Sequence, residues 1–168
     1  MKYTTSEVTF REIPDEITLC INISNCPIHC PDCHSKELWE DIGDELTKDR
    51  LIELLQNNPG ISCVCLMGGD ADYEGLHQIL IWLSELRRDF GAFKIAWYSG
   101  RHNLDEVFMK AGDWVLCFQY IKVGPYRKDL GGLDSKTTNQ QLYMVSADCR
   151  VHNITYKFWK KDGTTTDD

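Results

Sequence analysis

Cys26, Cys30 and Cys33 stand in the stretch Cys26-Pro27-Ile28-His29-Cys30-Pro31-Asp32-Cys33-His34, with spacing C-x3-C-x2-C. Three thiolates within one short loop are soft ligands, suited to an iron–sulfur cluster or zinc. A four-iron cluster is usually held by four cysteines. A set of three leaves one iron for something other than protein, and an open metal position is where chemistry happens. Structural zinc would need a fourth ligand, which His29 or His34 could supply. Cys30-Pro31-Asp32-Cys33-His34 also matches the C-x-x-C-H haem-attachment pattern, but that chemistry belongs to exported proteins, and Met1-Lys2-Tyr3-Thr4-Thr5-Ser6-Glu7 lacks a charged-then-apolar export signal. Redox use of C-x-x-C alone leaves Cys26 without a task.

A second candidate is the turn Gly68-Gly69-Asp70. Glycine pairs after strands are ordinary turns; they also let backbone carbonyls approach a bound ammonium closely. Further candidates are Ser99 in Trp97-Tyr98-Ser99-Gly100, Lys122 in Lys122-Val123-Gly124-Pro125-Tyr126, and the segment Thr138-Asn139-Gln140. Tyr98 reads equally well as a core residue, a lone lysine is more often solvated, and Arg101 and His102 carry no assignment. Together, and in this order, these segments resemble the radical S-adenosylmethionine (SAM) enzymes, and at this size the anaerobic ribonucleotide reductase activating proteins, from about Ile17 to Tyr143. The resemblance implies a [4Fe–4S] cluster on Cys26, Cys30 and Cys33, with SAM on the unique iron and oriented by Gly68, Gly69, Asp70, Ser99 and Lys122. It implies reductive cleavage of SAM to methionine and a 5′-deoxyadenosyl radical, which abstracts hydrogen from a glycine of the reductase. The implied partners are the glycyl-radical subunit of that reductase and an electron donor such as flavodoxin or ferredoxin. The family pattern is not followed everywhere. Asp32 stands where an aromatic residue often precedes the third cysteine, Asp70 stands for a frequent Glu, and Gln141 for a frequent arginine. A small radical SAM enzyme with another substrate would share the cysteine loop.

These residues need elements to position them. Glu16 to Ile23 is a β-branched run that ends where the cysteine loop begins. Leu51, Leu54 and Leu55 recur at helical spacing from Thr47 until Asn58-Pro59-Gly60 breaks the chain. Ile61 to Met67 reads as a strand, Tyr73 to Arg88 as a helix, Phe93 to Tyr98 as a strand and Leu104 to Lys110 as a short helix. Trp114 to Val123 holds one or two strands, 124–141 is mostly loop, and Leu142–Val145 and Ile154–Trp159 read as closing strands. Strands alternating with helices predict an α/β domain with mostly parallel strands and right-handed crossovers. The resemblance makes it a partial, open (βα) barrel. In either case the site belongs at the C-terminal ends of the strands.

The 168 residues make one domain, with 1–15 as an N-terminal extension and 163–168 as a frayed tail. A formal net charge of −8 argues against a nucleic-acid binder. No apolar run approaches the roughly 20 residues of a membrane span. Eight cysteines without an export signal read as reduced thiols and ligands, which points to the cytoplasm. The five outside the loop (Cys20, Cys63, Cys65, Cys117, Cys149) read as small core residues.

Overall fold

The β-branched and leucine-rich runs form alternating strands and helices in the computed structural model, which describes residues 1–159. Among these residues eight strands form one mixed sheet: β1 (Lys2–Thr9), β2 (Thr18–Ile23), β3 (Asp44–Glu45), β4 (Cys63–Met67), β5 (Lys94–Tyr98), β6 (Tyr120–Val123), β7 (Gln141–Val145) and β8 (Val151–Asn153). Helices α1 (Lys48–Asn57), α2 (Tyr73–Phe90) and α3 (Leu104–Ala111) lie between β3 and β6 in the chain. The spatial order is β3-β1-β2-β4-β5-β6-β7-β8, so the sheet has two edges and does not close.

Parallel pairing is confined to the four central strands, β2, β4, β5 and β6. The flanking strands pair antiparallel. A parallel return needs a crossover, usually helical, and each central strand is followed by one before the next. After β6 the connection to β7 holds no helix, and the chain simply turns back.

Each helix begins on a side-chain cap: Thr47 accepts from Arg50 N (3.2 Å), Asp72 from Gly75 N (2.9 Å) and Asn103 from Glu106 N (2.9 Å). Such caps satisfy amide donors that a helix start otherwise leaves open. The leucine stripe of α2, Leu76, Ile79, Leu80, Leu83 and Leu86, is buried against the sheet.

The two faces of the sheet differ in side-chain size. Leu19, Ile21, Ile23, Leu66, Ile95 and Trp97 face the helices in the main core. Alternate residues on the same strands, Cys20, Cys63, Cys65 and Ala96, form a smaller cluster with Tyr98 and Tyr120, capped by Ile13 and Ile154. Beneath that cluster, at the starts of the parallel strands, buried Glu16 accepts hydrogen bonds from Ser62 Oγ (2.6 Å), Tyr120 OH (2.9 Å) and Lys94 Nζ. Burial pushes the Glu16 carboxyl up, but these bonds outweigh it and hold the group below its usual range.

Several expectations need correction. The segment read as an extension carries β1, which pairs with β2; only Tyr3 of its eight residues is buried, so no hydrophobic alternation marked it. Asp113–Cys117 and Thr155–Phe158 are 3-10 turns, and the closing strand lies earlier, at Val151–Asn153. Cys20, Cys63 and Cys65 are buried as expected, whereas Cys117 and Cys149 are exposed at turns. The tail at 163–168 lies outside the described residues. No helix among the described residues is long and apolar enough to cross a membrane.

Candidate metal centre

The cysteine loop leaves the C-terminal end of β2 and is shaped by its own backbone. Asn25 and His29 take left-handed conformations (φ +60° and +49°), which Asn and His tolerate better than most residues. The 3-10 turn Lys36–Trp39 closes the loop, with Cys26 N donating to Leu38 O (2.8 Å) and Asn25 N to Glu40 O (2.9 Å). A tight turn joins the other two cysteines through Cys33 N to Cys30 O (2.9 Å).

All three cysteines are free and half-buried. Burial raises the Cys26 thiol above its ordinary value, and the backbone N–H groups of Ile28 and His29 oppose part of that rise. Ser35 N donates to Cys33 Sγ (3.4 Å). Amides aimed at sulfur stabilise thiolates and are the usual surroundings of an iron–sulfur cluster, so the donor set fits such a group. Cys26 and Cys33 line a cavity of about 180 Å³ with Trp39, while Cys30 lines an adjoining hollow of about 320 Å³ that shares Gly100 with it. Among the described residues no three His, Cys, Asp or Glu side chains converge on one ion-sized point. A four-iron cluster does not ask for that, because each cysteine binds a different iron. The two histidines considered as zinc ligands are engaged with aromatic rings: His29 stacks on Trp39 (4.7 Å) and His34 meets the edge of Tyr126 (4.9 Å).

The neighbouring strand ends bring Gly68, Asp70, Ser99 and Lys122 to the Cys26–Cys33 cavity. Gly69 lines a different hollow, beside Met1 and Asn25. Both glycines have positive φ (+110° and +97°), a conformation that disfavours any side chain. Their carbonyls already accept hydrogen bonds, Gly68 O from Trp97 Nε1 (2.8 Å) and Gly69 O from Asp72 N (3.1 Å), which leaves each one lone pair.

Asp70 is engaged within the protein. Its carboxylate accepts from Ser99 Oγ (2.6 Å), Gly100 N (2.8 Å) and Tyr73 OH (3.4 Å), with Arg101 Nε at 3.8 Å. Burial pushes its pKa up against the pull of these partners. Ser99 Oγ in turn accepts from Arg101 N (3.1 Å). Asp70 and Ser99 therefore tie the end of β4 to the end of β5. Arg101 and Tyr73 complete that tie through Arg101 Nε to Tyr73 OH (3.0 Å). The sequence reading left both without a role; their adjacency to Ser99-Gly100 and Asp70 was the available signal.

Lys122 is buried, with Nζ donating to Gly124 O (2.9 Å) and lying 5.7 Å from the Tyr98 ring centre. Burial pushes its pKa down to about 8, against the opposing pull of nearby Cys30 and Asp70. Lys122 also lines a cleft of about 920 Å³ with Arg11, Glu12, His34, Tyr98 and Gln140. Thr138-Asn139-Gln140 straps one wall: Asn139 Nδ2 donates to Pro125 O (2.8 Å) and Gln140 Nε2 to Gly124 O (3.3 Å). These bonds hold the segment against the loop after β6.

Compared with known proteins, residues 17–163 match the family model described as "4Fe-4S single cluster domain". No curated protein and no solved structure matches the chain significantly.

Proposed function

Because the chain belongs to the 4Fe-4S single cluster domain family, we propose that it is a radical SAM enzyme, an activase that generates a glycyl radical on an anaerobic ribonucleotide reductase. The observation that carries this reading is the meeting of a three-cysteine loop with the C-terminal ends of the central strands β4, β5 and β6. Three protein thiolates leave one iron of four to a small ligand. When bound, the cluster supplies one-electron reduction of the SAM sulfonium, cleaving a carbon–sulfur bond.

The chain's own residues have separate tasks. Cys26, Cys30 and Cys33 hold iron, and the amides of Ile28, His29 and Ser35 stabilise the thiolates. The remaining lone pairs of the Gly68 and Gly69 carbonyls offer acceptors to the SAM ammonium. Asp70 and Ser99 hold that turn in place and leave direct contact to others. The Lys122 ammonium meets the SAM carboxylate. The 920 Å³ cleft over the small-residue face receives the reductase segment that carries the glycine, and a flavodoxin or ferredoxin delivers the electron. In this reading the open sheet is the curved wall of a partial (βα) barrel, completed by the partner.

The test is anaerobic reconstitution, followed by iron and sulfide analysis and EPR of the reduced protein with and without SAM. About four irons per chain, a SAM-dependent change in the spectrum and release of methionine support the proposal, with Cys30→Ala as the control that loses all three. Zinc without iron, or a cluster indifferent to SAM, sinks it.

A further inference from the structure

Trp39 carries an indole N–H that the fold buries without a hydrogen-bond partner. Buried donors are almost always paired, because leaving one unmade forfeits its full hydration. The ring is firmly held. It stacks on His29 at 4.7 Å and 19°, Lys36 Nζ lies 5.5 Å from its ring centre, and its 3-10 turn is bonded to Cys26 and Asn25. Among the described residues, Trp39 is the one with an orphaned buried polar atom that lines the cavity of Cys26 and Cys33. Anionic sulfur is an acceptor that this cavity gains once the family's cluster is in it.

We propose that Trp39 Nε1–H donates a hydrogen bond to a sulfur of the cluster, thiolate or bridging sulfide, and so raises its reduction potential. The reduced cluster carries one more negative charge than the oxidised one. A donor at its sulfur therefore stabilises the reduced state more. The proposal rests on the cluster alone and is independent of SAM.

The experiment is an anaerobic redox titration, without SAM, of reconstituted wild type and Trp39→Phe, followed by EPR. Phenylalanine keeps an aromatic ring beside His29 and removes the N–H. The expected result is unchanged iron and sulfide with a reduction equilibrium moved toward the oxidised state by up to about tenfold, a fall of about 59 mV for one electron. A loaded variant with the wild-type potential overturns the proposal. Should Trp39→Phe fail to load, wild type carrying 15N-labelled tryptophan decides. Coupling of an indole nitrogen and its exchangeable proton to the reduced cluster in electron–nuclear double resonance supports the bond, and the lack of both overturns it. Neither measurement depends on SAM cleavage, so a failed radical mechanism leaves the result readable.

Discussion

Replacing Asp70 by alanine removes the acceptor of a buried donor, Ser99 Oγ at 2.6 Å, and of a half-buried one, Gly100 N at 2.8 Å, at a site where Ser99 is 1% exposed. Each such donor left unpaired costs about 1–3 kcal/mol, so the pair amounts to roughly 2–6 kcal/mol. Tyr73 at 3.4 Å and Arg101 at 3.8 Å are longer contacts, and the Arg101 side chain is 21% exposed; together they add at most about 1 kcal/mol. Removing a carboxylate that burial already disfavours returns part of the loss. The net expectation for Asp70→Ala is a destabilisation of about 2–4 kcal/mol. Asp70→Asn is the informative companion. Its carbonyl oxygen can take the Gly100 N–H while its amide donates to the rotatable Ser99 hydroxyl, so it should lie within about 1 kcal/mol of wild type. Anaerobic urea unfolding without SAM, followed by circular dichroism and fluorescence, reads both values. An Asp70→Ala protein within about 0.5 kcal/mol of wild type would refute the positioning role. The same stability with lost SAM affinity would make Asp70 a direct ligand contact instead.

Two further outcomes follow from the geometry. Glu16 has its folded pKa held down, so its contribution is complete above the unfolded value of about 4.3 and disappears as pH falls through the folded value. Glu16→Gln should therefore flatten the acid limb of thermal stability between pH 7 and 3, and an acid limb as steep as wild type's would exclude Glu16 as its source. At Gly100 an added Cβ would lie 2.5 Å from Ile28 Cγ1 and 3.1 Å from Ile28 Cβ, inside the cysteine loop. Gly100→Ala should cost about 1–3 kcal/mol and lower iron content after reconstitution, and Ile28→Ala in the same chain should restore iron. Strict additivity of the two substitutions would show that they do not touch.

The parts legible in the sequence are those with a strong local signal. The leucines of α1 and α2, the apolar runs of β2, β4 and β5, and the C-x3-C-x2-C loop announce themselves by period or spacing. Because each motif follows a strand, the edge where they meet was readable as well. β1 was not, since Thr4, Thr5, Ser6 and Glu7 look like a polar leader until β2 pairs with them. The antiparallel return of β7 depends on a long loop whose course no periodicity fixes. Asp70 and Ser99 stood out in the sequence as site residues, but their bond to each other did not. That they hydrogen-bond each other depends on β4 and β5 ending side by side, and Arg101 and Trp39 depend on tertiary neighbours in the same way.

Two kinds of polar group emerge at the strand edge, separated by what their hydrogen-bonding capacity is used for. Asp70, Ser99, Tyr73 and Arg101 bond one another across two strand ends, beside the Gly68–Gly69 turn. Lys122 differs. An ammonium has three donors, and among the described residues Lys122 gives one, to Gly124 O. It also lines both the cysteine cavity and the large cleft. With a pKa pushed down to about 8 it remains largely protonated at neutral pH, so this end of the central strands presents a buried cation with donors to spare, in a chain whose formal net charge is −8. In the proposed function, Lys122 is the cation that offsets the repulsion of an anionic ligand by the cluster and the nearby carboxylates. The four strand ends thus differ in kind: the loop after β2 carries the three cysteines, β4 and β5 end in a hydrogen-bonded polar tie, and β6 ends in a buried lysine.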